Sequence, residues 1–233
     1  MKRINLILVG SAALLLGIVL SFAQNGAKAT PTLALSGFQV GEVPPSLRDG
    51  DIVFHDSGSD QSLAIKILTH SPYSHVGIYL GGFVYEAHKG INKTPIAEWS
   101  KRPRWATHKN ETPWKALRLK DHHEGLSAAE TEKLKAFFTP EVMGREYDSK
   151  FEWSPDKLYC SELVWKAYKS QLGIEVGALQ TFSAFDFSDP RAKQLAQDRY
   201  GGVDKLPTNE TIVTPQAIYE SDLLELVPPL TQR

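Results

Sequence analysis

The chain has 233 residues, 42% of them hydrophobic and 23% charged, with 17 glycines and 14 prolines. Those proportions are ordinary for a globular domain and exclude collagen-like, disordered and disulfide-scaffold architectures. Twenty-six basic residues against 27 acidic ones leave a formal charge of -1, without the basic excess that binding nucleic acid would need.

Met1-Lys2-Arg3 precedes an almost wholly apolar run over residues 4–22, and small residues follow at 21–23 and 27–29. Cations, apolar run and small-residue site together describe an export signal over residues 1–29. The alternative is an uncleaved anchor in which residues 4–22 tether the protein to a membrane, since about 20 apolar residues span a bilayer. Both readings place the protein outside the cytoplasm, periplasmic or secreted. Residues 30–46, with Pro31, Pro44 and Pro45, read as an extended lead-in, and 47–233 as a single domain.

Asp49-Gly50 marks a turn before a short strand at 51–55, and residues 62–70 predict a helix stopped by Ser71-Pro72. Next comes a hairpin, with strands at 74–80 and 83–88 joined by Gly81-Gly82. That turn sets Leu80 opposite Phe83 and Gly77 opposite Glu86. Period two then puts His75, Gly77, Tyr79, Val84, Glu86 and His88 on one face. His75 can reach Glu86 diagonally over the bare Gly77, or meet His88 directly.

Residues 92–116, rich in Trp, Pro, Lys and Arg, predict an irregular covering loop, and 116–119 a strand. Ser127-Ala128-Ala129-Glu130 is a capping box, opening a helix with Leu134, Phe137 and Phe138 as its stripe. A loop at 147–155 leads to a helix over 159–168 that buries Leu163, Val164, Ala167 and Tyr168 and ends at Gly173. Beyond Ala178 no strong period is visible. A helical turn at 214–220 and a strand at 223–227 complete the chain.

The single cysteine, Cys160, has no partner for an intrachain disulfide and stands where a helix begins. Free N–H groups and the helix dipole favour a thiolate there. A thiolate attacking an acyl carbon needs a proton-transferring base, usually His, and a group that orients it. The hairpin supplies His75 as base and Glu86 as orienter, with His88 as a weaker substitute. The Cys160 backbone N–H and the Tyr159 hydroxyl are candidate oxyanion donors. Residue types alone do not establish that positions 75, 86 and 160 meet.

The ordered strings Leu47-Arg48-Asp49-Gly50-Asp51-Ile52-Val53-Phe54, Ser74-His75-Val76-Gly77-Ile78, Tyr85-Glu86-Ala87, Tyr147-Asp148 and Tyr159-Cys160-Ser161-Glu162-Leu163-Val164 resemble the permuted papain-like amidases. These form the YiiX/YaeF-type branch of the NlpC/P60 superfamily. The resemblance runs from about Leu47 to Val227. It implies an α+β, circularly permuted papain-like fold in which an antiparallel sheet or barrel packs on helices and the nucleophile sits at a helix N-terminus. It also implies Cys160 as nucleophile, His75 as general base, Glu86 as the third polar residue and Tyr159 beside the oxyanion site.

The function expected is an exported cysteine hydrolase cleaving an amide through a thioester, without cofactor or metal. Substrates would be cell-wall peptides or N-acyl, lipid-like compounds. An acyltransferase on the same thioester and a catalytically silent envelope-binding module are the rivals. Asp51 and Asp148 read as structural, and Glu162 as a solvated or dipole-complementing carboxylate. The run His122-His123-Glu124 suggests zinc to the eye, but adjacent histidines point apart. His55, His70 and His108 read as surface or loop residues, and Trp99, Trp105 and Trp153 as cleft lining or core padding.

Overall fold

The computed structural model describes residues 41–102 and 114–228. In chain order it contains β1 (Ile52–His55), α1 (Asp60–Thr69), β2 (His75–Leu80), β3 (Phe83–Ala87), β4 (Ile91–Pro95) and α2 (Ile96–Trp99). These are followed by β5 (Trp114–Leu119), α3 (Ala128–Ala136), α4 (Cys160–Leu172) and β6 (Gln180–Thr181). The last elements are α5 (Pro190–Tyr200), β7 (Thr211–Ile212), α6 (Pro215–Tyr219) and β8 (Leu224–Leu226). The sheet is antiparallel in the order β4-β3-β2-β1-β5-β8, and β6 pairs with β7 apart from it.

Alternation gives the sheet two buried faces. Ile52, Phe54, Val76 and Ile78 on one face form a core with Val164, Ala167 and Tyr168 of α4. Val53, Val84 and Ala116 on the other pack with Trp99 and Trp114. Each fully buried side chain of this size contributes roughly 1.5–3 kcal/mol. That packing fixes the helix that starts at Cys160 against the strand that starts at His75. Helix α4 ends where expected, at Gly173 with φ 75°, and α3 opens with the expected capping box at Ser127.

The hairpin register is the predicted one: Leu80 faces Phe83, Tyr79 faces Val84 and Ile78 faces Tyr85. Gly81 and Gly82 turn with φ 57° and 87°, the double positive φ of a type I′ hairpin.

Two expectations fail. The covering loop at 92–116 holds regular structure, because β4 extends the sheet through β3 and α2 follows it. Strand β5 also starts earlier, at Trp114, and Trp105 and His108 lie outside the described residues. The stretch beyond Ala178 contains α5, which begins on the Asp189 cap with Pro190 at its first position and ends at Gly201. Its stripe of Ala192, Leu195 and Ala196 is too small to give a strong period. Among the described residues no helix is long and apolar enough to cross a membrane.

Candidate active site

His75 opens β2, and Glu86 lies on β3 one residue past Tyr85, which pairs with Ile78. With glycine at 77, nothing stands between them. A Cβ added there would sit 2.5 Å from Val84 Cγ1 and 3.3 Å from Glu86 Cβ. His75 Nε2 and Glu86 Oε2 are 2.7 Å apart. That leaves the other ring nitrogen, Nδ1, for Cys160, whose side chain interacts with His75. The structure therefore brings Cys160, His75 and Glu86 together, with Cys160 the first residue of α4 and 4% exposed.

The Glu86 carboxylate is fully buried, yet every part of it is engaged. Besides His75, it accepts hydrogen bonds from Thr94 Oγ1 (2.7 Å), Trp99 Nε1 (3.0 Å) and Arg102 Nη1 (2.8 Å), while Arg102 Nη2 approaches Oε1 at 2.8 Å. Burial alone would raise its pKa, but the bond to His75 and the charges of His75 and Arg102 hold it far below the ordinary carboxylate range. His75 moves the other way. Burial pulls it down, but its bonds to Cys160 and Glu86 prevail and lift it to about 9. At neutral pH the imidazole is thus poised as imidazolium, the partner a thiolate needs.

Several residues close this core, and Trp99 belongs to it as padding while its indole N–H also holds Glu86. His55 is not a surface residue: it is buried on β1 opposite His75, its ring 4.9 Å from that of His75 and 4.6 Å from that of Trp99. His88 lies edge-on to His75 at 5.9 Å, so Glu86 and not His88 makes the orienting bond.

The bonds that Thr94, Trp99 and Arg102 make to Glu86 were invisible to sequence reasoning. Recognising β4 would have exposed Thr94, since pairing Glu86 with Asn92 and Val84 with Thr94 puts all four side chains on one face.

Of the oxyanion candidates, the Tyr159 hydroxyl accepts from the Val213 backbone N–H (3.0 Å). The Ser161 hydroxyl donates to the Val213 carbonyl (2.8 Å), so the start of α4 is clamped to the segment after β7. Tyr147, missed as a site residue, shares the cavity wall with Cys160 and accepts from Gln61 Nε2 at 3.3 Å. Burial and the nearby Cys160 charge keep its phenol protonated and able to donate.

Cys160 opens onto an apolar cleft that is partly open to solvent. Its wall is apolar, built largely by Phe182, Phe185, Phe187, Leu195 and Ile212 from the stretch beyond Ala178, with Leu68 facing them from α1. Phe151 joins the wall with φ 55°. Asp148 accepts from the backbone N–H groups of Lys150 and Glu152 in the turn that follows it, the structural role expected of Asp148. Asp51 is structural too, taking the forked guanidinium of Arg118.

Glu162 is not solvated. It is buried, pairs with Lys166 at 2.6 Å, and burial raises its pKa to about 7. His122 and His123 turn to different carboxylates, Glu130 and Glu225. His70 is an exposed helix cap, as expected of a loop residue.

The protein YiiX of Escherichia coli (strain K12) is 36% identical over 182 residues, covering 76% of this chain and 84% of YiiX. The crystal structure of metalloprotein yiiX from Escherichia coli O157:H7 superposes with a TM-score of 0.69 at 34% identity. It covers 80% of this chain and 99% of that one. Residues 46–228 match the family described as "Permuted papain-like amidase enzyme, YaeF/YiiX, C92 family". The α+β architecture, the position of the cysteine and the order of His before Cys fit that description, and the chain belongs to this family of thiol-dependent amidases and peptidases.

Proposed function

We propose that this protein is an exported cysteine amidase acting on N-acyl, lipid-like envelope compounds. The observation that carries the substrate reading is the apolar cavity starting at Cys160, which suits an acyl chain better than a polar cell-wall peptide. The amino-terminal cations and apolar run support export.

In the reaction, Cys160 Sγ attacks the amide carbon while the carbonyl oxygen takes up negative charge. The Cys160 backbone N–H, the Tyr147 hydroxyl and the proton of Tyr159, all lining the same cavity, are the candidate donors to that charge. The imidazolium of His75 gives its proton to the leaving nitrogen as the C–N bond breaks, leaving a thioester. Water then attacks that thioester and passes its proton to His75. The C–S bond breaks, and the acid leaves with the thiolate–imidazolium pair restored. Glu86 keeps the ring oriented throughout.

The YiiX crystal structure is described as that of a metalloprotein. Here His55, His75 and Glu86 each place one donor atom within 4.8 Å of the others. They do not fit a divalent cation, because Glu86 already accepts from four side chains and the guanidinium of Arg102 would face the ion as a like charge. A metal would also take His75 from Cys160. No step of the proposed reaction runs through one.

The test is hydrolysis of an N-acyl anilide series from acetyl to palmitoyl, with mass spectrometry of the acylated enzyme. Burial of each methylene at about 0.8 kcal/mol predicts kcat/KM rising up to about fourfold per added carbon until the cavity is full. A flat series with efficient cleavage of cell-wall dipeptides would return the reading to peptide substrates. Acylated amine or alcohol in place of free acid would make the enzyme a transferase.

A further inference from the structure

We infer that Arg102 is a positioning residue of the catalytic centre, whose bidentate grip on Glu86 sets the pH at which His75 loses its proton. The inference rests on Cys160, His75 and Glu86 being the catalytic set. Arg102 lies outside the hairpin that carries His75 and Glu86, three residues beyond α2, and no residue of its kind is required by the Cys-His-carboxylate chemistry itself.

Three observations carry it. First, the fork is complete: Nη1 lies 2.8 Å from Glu86 Oε2, Nη2 lies 2.8 Å from Oε1, and Nη2 also donates to Thr94 Oγ1 at 2.9 Å. Such planar two-point contact fixes the carboxylate in rotation as well as place, which a lysine cannot do. Second, Nη1 shares Oε2 with His75 Nε2, which is 2.7 Å away, so the guanidinium and the imidazolium are separated by one oxygen atom. Third, the pair is dry at one end only. Glu86 is completely buried while the Arg102 side chain is 24% exposed, so the arginine closes the network against solvent.

Two electrostatic consequences share one sign. A cation this close to His75 disfavours a second positive charge on the ring, and a carboxylate already neutralised by arginine stabilises imidazolium less than a bare one would. Arg102 therefore holds the His75 pKa below the value that Cys160 and Glu86 would give it alone. This matters for turnover. Acylation needs His75 protonated, whereas hydrolysis of the thioester needs it neutral to accept a proton from water. Among the described residues, the other charged or titratable groups around the ring are Cys160, Glu86, His55 and His88, and His88 is itself held below its usual pKa by burial and by the charges of His75 and Arg102.

The test is the pH dependence of Cys160 alkylation by iodoacetamide in the purified protein. It compares wild type, Arg102→Met, Arg102→Lys and His75→Ala, with thermal unfolding of each to confirm the fold. Wild type should show an upper inflection where His75 loses its proton. In Arg102→Met that inflection should rise by about one pH unit, with thioester hydrolysis at neutral pH slowed about tenfold. Arg102→Lys should keep the wild-type inflection, because the charge remains, while losing rate, because the fork does not. An unmoved inflection in a folded Arg102→Met protein overturns the inference, as does an Arg102→Lys profile that follows Arg102→Met. Alkylation indifferent to His75 overturns the catalytic set itself, an outcome the His75→Ala arm identifies separately.

Discussion

Gly77→Ala places one methyl group between β2 and β3 at the point where Glu86 crosses toward His75. The added Cβ would lie 2.5 Å from Val84 Cγ1, 3.0 Å from the Tyr85 carbonyl oxygen and 3.3 Å from Glu86 Cβ. The nearest of these is buried and the second is backbone, so neither yields without moving β3. Overpacking of this kind costs about 1–3 kcal/mol. In a domain of this size that lowers Tm by roughly 3–10 °C. Displacing β3 by a few tenths of an ångström also drags Glu86 from its 2.7 Å contact with His75. A misplacement of 1 Å can cost a hundredfold, so Cys160 alkylation near neutral pH should slow about tenfold.

Gly81→Ala is the control. The site has φ +57° and nothing within 4 Å of an added Cβ. It should lower Tm slightly through backbone strain at the turn and leave reactivity unchanged. A Gly77→Ala protein with wild-type Tm and wild-type alkylation would refute the claim that the bare glycine seats the carboxylate.

Glu86→Gln keeps the shape and removes the charge, and should cost about 3 kcal/mol near neutral pH because it breaks a buried charge network. His75 is raised to about 9, so its stabilisation is complete below its ordinary value of 6.5 and lost as pH rises through 9. Glu86 is depressed, so its stabilisation is present above 4.5 and lost in acid. The Tm gap between wild type and Glu86→Gln should therefore be widest at about pH 5 to 6.5 and narrow above 9, and a gap independent of pH would contradict the assignment. Tyr147→Phe should lower kcat about a hundredfold with KM little changed if its hydroxyl serves the oxyanion; a change confined to KM would make it a wall residue only. Incubation with EDTA should leave alkylation and acyl-anilide hydrolysis unaltered, and restoration by one added metal would show that the donor set has been misjudged.

Local signals carried far in this chain. The Gly81-Gly82 turn alone fixed a register that places Glu86 beside His75, and the start of α4 could be read from the residues around Cys160. What stayed hidden depends on contacts between distant segments. Strand β4 has no alternation of its own, and its pairing comes from β3. Without it the chain offers no reason to bring Thr94 and Arg102 to Glu86. His55 looked like a surface residue because β1 is too short to show a buried face, yet antiparallel pairing sets it directly opposite His75. Glu162 looked solvated because a charged residue in a first helical turn usually is, and its burial is known only once Lys166 and the packed sheet are in place. The cavity wall was illegible for a similar reason: its phenylalanines are spread over 3₁₀ turns and loops, where no periodicity announces a shared surface.

The clamp between Val213 and the start of α4 joins two parts of the chain with different work. The base, the carboxylate and the groups that hold it lie between residues 75 and 102, and the nucleophile at 160, while much of the cavity wall comes from 182 to 215. Because the Tyr159 and Ser161 hydroxyls bind the main chain of Val213, they are indifferent to the side chains that precede it. The wall can be rewritten residue by residue while its anchor to the nucleophile stays in register. Descendants of one catalytic centre can in this way change what they accept without relearning how to cut.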